Sequence, residues 1–126
     1  METKKDILNR LFVENNLTSE DVFKHKFYTI ITRSGIDKIQ STNNIEITYN
    51  LEFNSMDCKC IIIKAAATMG DKAIETYGEA SPSNNSNSYP VAMAEKRAMS
   101  RAVLKLAGFY QFGVFGEDES ESFKKN

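Results

Sequence analysis

The sequence predicts an α+β fold in which an antiparallel β-meander of three or more strands packs against one long C-terminal helix, with a further helix at the N-terminus. Two observations predict this fold. Residues 45–80 contain three strand-like segments joined by short turns, and residues 90–107 are alanine-rich with the spacing of an amphipathic helix. A meander has one apolar face that needs a cover, and the following helix is the nearest cover available.

The chain has the length and composition of one globular domain. Its 126 residues, 41% hydrophobic and 26% charged, suffice for one core and leave no room for two full domains. We assign residues 1–115 to this domain. The remaining residues, 116–126 (GEDESESFKKN), have almost no apolar content, which predicts a disordered acidic tail.

Four elements are expected before the meander. Apolar residues recur at helical spacing near the N-terminus, and β-branched and aromatic residues follow a polar turn. We therefore expect a helix over residues 4–15, a helical turn over 18–23, a strand over 27–31 and a short helix within 32–44.

The strand signal is clearest in IEITYNLEF, residues 45–53. Its odd positions are all apolar or aromatic and its even positions are all polar, which predicts a strand with one buried face. The turn at residues 54–57 leads into CKCIIIKAAATM, the second strand. Gly70-Asp71-Lys72 then leads into AIETYGEAS, the third.

The long helix is predicted to bury one face and to display cations on the other. Pro90 suits its first turn, and Gly108 suits a left-handed stop after its last. At about 100° per residue, the side turned to the sheet comprises Ala92, Met99, Ala102, Val103 and Leu106. The opposite side carries a row of cations at every fourth position: Arg97, Arg101 and Lys105.

The charge distribution predicts a basic face on a nearly neutral protein. The net charge is −1, but residues 22–115 carry eleven basic and eight acidic side chains, and each flank is net −2. A basic helix preceded by tyrosines is typical of sequence-independent nucleic-acid binding, in which cations follow the phosphates and rings stack on bases. The residues predicted to contact nucleic acid are Arg33, Lys38, Lys64, Tyr77, Tyr89, Lys96, Arg97, Arg101 and Lys105.

The segment from the third predicted strand to Gly108 resembles a known family. ETYGEAS, a polar loop and SYPVAMAEKRAMSRAVLKLAGF are similar to the core of the single-strand annealing proteins of the Rad-fifty-two superfamily and their phage relatives, over about residues 45–110. The resemblance implies a homo-oligomer that binds single-stranded DNA along a basic groove; strand annealing and RNA binding stay open. The matching positions are Glu95-Lys96-Arg97, Ser100-Arg101-Ala102 and Lys105-Leu106-Ala107-Gly108.

The acidic end is similar to the tails of single-stranded DNA-binding proteins. That resemblance implies a tail that recruits replication or repair proteins and competes with DNA for the basic helix. We therefore expect removal of residues 117–126 to leave the fold intact and to tighten nucleic-acid binding.

Other classes of function find little support in the sequence. It has no Walker phosphate loop, no His-Glu-x-x-His and no Gly-x-Ser-x-Gly, so we expect no enzyme and no cofactor. Cys58, Cys60 and the single histidine, His25, are too few for a zinc site. No segment has the length and apolarity of a signal peptide or a membrane span, so we expect a cytoplasmic protein that does not bind membranes.

One alternative stays open. A phage-encoded protein-interaction or inhibitor protein without nucleic-acid binding carries no motif of its own. The basic row distinguishes the two hypotheses, because nucleic-acid binding needs these cations and most protein inhibitors do not. The same row is also compatible with an ordinary solvated helix surface.

Overall fold

The α+β architecture predicted from the sequence is present in the computed structural model, which describes residues 3–25, 28–85 and 88–119. In chain order the elements are α1 (Lys4–Glu14), β1 (Val22–His25), β2 (Tyr28–Ile31), α2 (Arg33–Thr42), β3 (Glu46–Asn54), β4 (Ile61–Met69), β5 (Lys72–Ala80), α3 (Pro90–Ala107) and β6 (Val114–Gly116). Single turns of 3₁₀ helix at Tyr110–Phe112 and Glu117–Glu119 flank β6.

The predicted meander is confirmed. Strands β3, β4 and β5 form an antiparallel sheet in that order. A bulge in β3 shifts the register, so that Leu51 lies opposite Ile63 while Phe53 lies opposite Ile62. Because side chains alternate between the two faces of a strand, Phe53 shares the face of Ile62 and not that of Ile63.

Helix α3 packs on the inner face of β4 and β5, as predicted. Gly78 permits the close approach, because a Cβ atom there would collide with the backbone of Ala94 and Ala98. The Thr76 hydroxyl donates a hydrogen bond to the Ala98 carbonyl at 2.7 Å. The position of the helix on β5 therefore depends on a residue without a side chain.

The buried side of α3 is also as predicted. Pro90 is in its first turn, and Gly108 follows the helix with a φ of +88°, the left-handed conformation that glycine adopts readily. Of the five residues predicted on this side, Ala92 is half-buried and the other four are buried: Met99, Ala102, Val103 and Leu106.

A second sheet encloses the other side of α3. Strand β2 pairs antiparallel with β1 and parallel with β6, and Gly116 of β6 packs on Ser100 of α3. The sequence did not predict β6. The helical turn expected over residues 18–23 is wrong at its end, because Val22 pairs with Ile31 across the sheet and this long-range pairing outweighs the local capping signal.

The expected burial of the apolar face of β3 is wrong over most of the strand. Tyr49 is 38% exposed, Leu51 59% and Phe53 50%. The alternating pattern identified an apolar face, but α3 packs on β4 and β5 and leaves much of β3 uncovered. In addition, the bulge turns Phe53 to the other side of the sheet.

The domain boundary predicted at residue 115 is also corrected. Gly116 belongs to β6, residues 117–119 form a helical turn, and Glu119 is buried. These residues accept hydrogen bonds from distant arginines, which the local composition does not reveal: Arg33, Arg97 and Arg101. The rest of the predicted tail, residues 120–126, lies outside the described residues.

Candidate nucleic-acid interface

Arg97 was predicted to be exposed, and this prediction is wrong. Its side chain is among the most buried of the chain, at 1% exposure. The guanidinium donates hydrogen bonds to the carbonyls of Glu79 (2.8 Å), Asn84 (2.6 Å) and Asp118 (3.1 Å), and to Oδ1 of Asn84 (3.0 Å). Arg97 therefore joins the loop after β5 to the chain after β6, and is not accessible to a phosphate.

Arg101 is held by carboxylates. Its Nε lies 2.5 Å from Glu119 Oε1, its Nη2 lies 2.9 Å from Glu79 Oε1, and its Nη1 donates to the carbonyl of Tyr77. Burial disfavours the charged guanidinium, but the hydrogen bonds and charges of Glu79 and Glu119 outweigh it and raise the pKa of Arg101. The two carboxylates compensate the charge that was predicted to meet DNA.

The remaining cations of α3 do not form a row. Lys105 is exposed and lies 5.0 Å from the centre of the Tyr110 ring, a cation–π contact. Lys96 is half-buried on another side of the helix, close enough to Asp118 for its charge to act on that carboxyl. Burial raises the pKa of Asp118 despite this charge. The exposed basic row predicted from helical spacing is therefore absent from α3.

The two cations of α2 are likewise paired. Lys38 Nζ lies 2.7 Å from Oδ2 of the buried Asp21. This hydrogen bond, with those from Thr18, lowers the pKa of Asp21. Arg33 Nε lies 3.5 Å from Asp37, while the backbone N–H of Arg33 donates to Glu117 Oε1 at 2.6 Å. Lys38 therefore joins α2 to the segment before β1, whereas the Arg33 side chain pairs within its own helix.

Lys64 and Tyr77 lie on the outer face of the meander, away from α3. They are cross-strand partners, and Lys64 Nζ lies 3.9 Å from Glu52 and 3.5 Å from Glu75. Glu79 lies on the same strand as Glu75, and together with Glu52 these carboxylates make the outer face acidic. The structure therefore does not bring the nine predicted residues together, and this face does not suit phosphates.

A basic cleft that the sequence did not predict lies between α1, the small sheet and the turn after α3. This lysine cleft has a volume of about 600 Å³ and no acidic residue among the described residues that line it. The residues that give it its character are Lys4, Lys5, Lys24, Phe12, Gln111 and Phe112.

The lysines of the lysine cleft are exposed, and the charge of Lys5 acts on the Asp6 carboxylate at the start of α1. Within the described ranges, Lys4, Lys5 and Lys24 have no carboxylate oxygen at ion-pair distance. The nearest acidic neighbour in sequence, Asp6, accepts a hydrogen bond from the backbone N–H of Thr3 at 3.1 Å as part of the N-terminal cap of α1. Three positive charges therefore face solvent around one cleft.

Tyr89 lines a separate cleft at the amino end of α3. This proline cleft has a volume of about 680 Å³ and lies between the loop after β5 and the turn of the β3–β4 hairpin. Its lining includes Pro82, Tyr89, Pro90 and Val91, with Lys59 at the hairpin. Tyr89 is 54% exposed, and its predicted contact with nucleic acid stays a prediction.

The described part of the chain contains no group of three or more His, Cys, Asp or Glu side chains that could hold a metal ion. None of the helices in the described ranges is both long and apolar enough to cross a membrane.

Comparisons with protein-family models, with curated proteins and with solved structures gave no match. The resemblance to annealing proteins therefore stays a prediction from the residues that carry it.

Proposed function

We propose that the protein binds single-stranded nucleic acid independently of sequence, and that the lysine cleft, not α3, holds the phosphates. The observation that carries this proposal is the set of three exposed lysines around one cleft, with no carboxylate oxygen at ion-pair distance in the described chain. Free cations release condensed counterions when they meet phosphates, whereas cations already paired with carboxylates gain little from the exchange.

The aromatic residues of the lysine cleft favour a single strand over a duplex. Phe12 and Phe112 line the same space as the lysines. A base stacks on an aromatic ring only where the face of the base is free. The faces of bases are free in a single strand and not within a duplex. The proposed partner is single-stranded DNA, with RNA as the second nucleic acid to be compared.

The proposed cellular role is in the cytoplasm, in phage or bacterial replication or recombination, as a binding protein and not an enzyme. Strand annealing is an additional activity within this proposal. A homo-oligomer is part of it as well, and it is supported by the exposed apolar residues Tyr49 and Leu51 on the edge strand β3.

The direct test compares two charge reversals. Lys24→Glu changes the lysine cleft, whereas Lys72→Glu makes the same change at an exposed position of the other sheet. By fluorescence anisotropy with labelled oligothymidylate, we expect Lys24→Glu to weaken binding by about tenfold or more and Lys72→Glu by about twofold at most. Equal effects of the two substitutions would show that the lysine cleft is not the site.

A second candidate function is interaction with another protein. It is favoured by Tyr49, Leu51 and Phe53, which are large, apolar and exposed on one strand. In that case Leu51→Asp would abolish the interaction, and Lys24→Glu would have no effect on it. Sedimentation of the chain alone and with oligothymidylate distinguishes the two functions, because only a nucleic-acid-binding chain sediments differently when oligothymidylate is added.

A further inference from the structure

Both prolines of the chain line the proline cleft. Pro82 and Pro90 surround its space together with Tyr89 and Val91, whose side chains are 54% and 52% exposed. A volume of about 680 Å³ is in the range of small-molecule sites. These rings and the branched side chain form apolar walls that lose little conformational entropy when a ligand is bound.

A fully buried charge fixes one wall of the proline cleft. Arg97 donates to the carbonyl and to Oδ1 of Asn84, and Asn84 Oδ1 also accepts a hydrogen bond from the Ser81 backbone at 2.8 Å. Burial of a guanidinium is costly unless its donors are paired, and two of the four acceptors of Arg97 belong to Asn84, in the loop that carries this wall. The wall is therefore shaped before any ligand arrives, which lowers the entropic cost of binding.

We propose that the proline cleft binds one unstacked base of a single-stranded nucleic acid, with Tyr89 as the stacking surface. This inference rests on the proposed function and adds a base-binding subsite to it. The chemistry required is an apolar wall for each face of the base and polar groups for its edge. Ser81, Ser88 and Asn85 supply polar groups in the lining.

The composition of the walls favours a base over a peptide. An extended peptide gains affinity from backbone hydrogen bonds to the groups that line its groove. Pro82 and Pro90 have no N–H to offer, whereas their flat apolar rings suit the face of a base. Lys59 adds no net positive charge, because Asp57 lines the same cleft and its carboxylate accepts a hydrogen bond from the Lys59 backbone N–H at 3.1 Å.

The test uses two tyrosines of similar exposure. Tyr89 is 54% exposed in the proline cleft, and Tyr77 is 48% exposed on the outer face of the meander. With oligothymidylate as probe, we expect Tyr89→Ala to weaken binding by about 5-fold to 100-fold, Tyr89→Phe to bind nearly as the unchanged chain does, and Tyr77→Ala to differ by about twofold at most.

An abasic oligonucleotide separates stacking from other roles of Tyr89, and it needs no variant. The unchanged chain should bind this probe about as weakly as Tyr89→Ala binds oligothymidylate, and Tyr89→Ala should lose nothing further on the abasic probe. Equal binding of the two probes by the unchanged chain, or a full further loss in the variant, overturns the base subsite.

The subsite and the proposed function fail in different ways. If Lys24→Glu weakens binding while Tyr89→Ala behaves as Tyr77→Ala does, the base subsite is overturned and the lysine cleft stands. If the unchanged chain binds no oligothymidylate at all, both proposals are overturned.

Discussion

Arg97 and Arg101 hold two outer segments of the chain against α3. Arg97 pairs with backbone carbonyls of the loop after β5 and of Asp118, and Arg101 pairs with the side chains of Glu79 and Glu119. Each residue serves as a cross-link between segments distant in sequence. Because acceptor groups within the fold pair with both guanidinium groups, the two arginines contribute to stability.

The first prediction concerns Arg101→Glu. The substitution places a third carboxylate beside Glu79 and Glu119 in a site where the arginine side chain is only 21% exposed. We expect the free energy of unfolding to fall by about 3 kcal/mol or more, as measured by urea denaturation. Lys105→Glu, on an exposed cation of the same helix, should cost about 1 kcal/mol at most. Similar losses in the two variants would contradict the pairing described for Arg101.

The second prediction concerns the pH dependence of the Asp21–Lys38 pair. Because the folded state lowers the pKa of Asp21, the pair stabilises the fold above the ordinary pKa of about 3.9, and this stabilisation is lost as pH falls through the lower pKa of the folded state. Asp21→Asn should therefore reduce the free energy of unfolding by about 1 kcal/mol at neutral pH. The difference from the unchanged chain should shrink below about pH 4, and a constant difference down to pH 2 would rule out this linkage.

At the scale of elements, the helical period predicted which side of α3 faces the meander and could not predict what covers the other side. The spacing of Met99 and Val103 follows from the geometry of a helix, so their burial could be predicted. The cover on the opposite side comes from β6 and residues 117–119, which pack there through long-range contacts. A pattern within one helix contains no information about such partners.

The alternating pattern of β3 has the same limit. Alternation shows that one face of a strand is apolar. Whether α3 covers that face of β3 depends on how close the helix lies to β5. Gly78 fixes that approach, and Tyr49 and Leu51 remain exposed as a result.

The third prediction tests that approach with Gly78→Ala. The added methyl group meets the backbone of Ala94 and Ala98, which cannot move without shifting the whole helix. We expect a loss of about 2 kcal/mol or more in the free energy of unfolding. Ala73→Val adds methyl groups on the solvent side of the same strand and should change stability by about 0.5 kcal/mol at most. Wild-type stability of Gly78→Ala in thermal melts would show that α3 does not pack this closely.

At the scale of the whole molecule, the segment after β6 closes the structure over α3. Glu117 accepts a hydrogen bond from the Arg33 backbone, Asp118 Oδ2 accepts one from Ser100, and Glu119 pairs with Arg101. The composition of this acidic segment predicted disorder. The prediction failed because local composition does not reveal that arginines of two helices lie opposite the segment.

The fourth prediction concerns truncation. Removal of residues 117–126 was expected from the sequence to leave the fold intact, but the contacts of residues 117–119 predict a loss of stability. A chain that ends at Gly116 should melt about 10 °C below a chain that ends at Glu119, from a loss of about 3 kcal/mol. The second chain is the reference, so the comparison isolates residues 117–119. Equal melting temperatures by differential scanning calorimetry would show that these residues do not stabilise the fold.

The lysine cleft could not be predicted for a related reason. Residues 1–21 are net negative, and this average hid Lys4 and Lys5. A signal was present in the neighbouring lysines of α1 and in Lys24 next to the aromatic Phe23, but only the folded chain brings α1 and β1 to the same cleft. The sequence predicted a basic face on α3, whereas the three lysines of the lysine cleft belong to α1 and β1.

The salt dependence of oligothymidylate binding tests the central claim most directly. Three lysines that each neutralise one phosphate predict a slope of about −2 in a plot of log affinity against log salt concentration, from roughly 0.7 per contact on a single strand. Lys24→Glu should reduce the magnitude of that slope by about 0.7 or more, and Lys72→Glu should leave it unchanged. Absence of binding, binding that does not depend on salt, or the same slope in Lys24→Glu as in the unchanged chain would contradict a phosphate site in the lysine cleft.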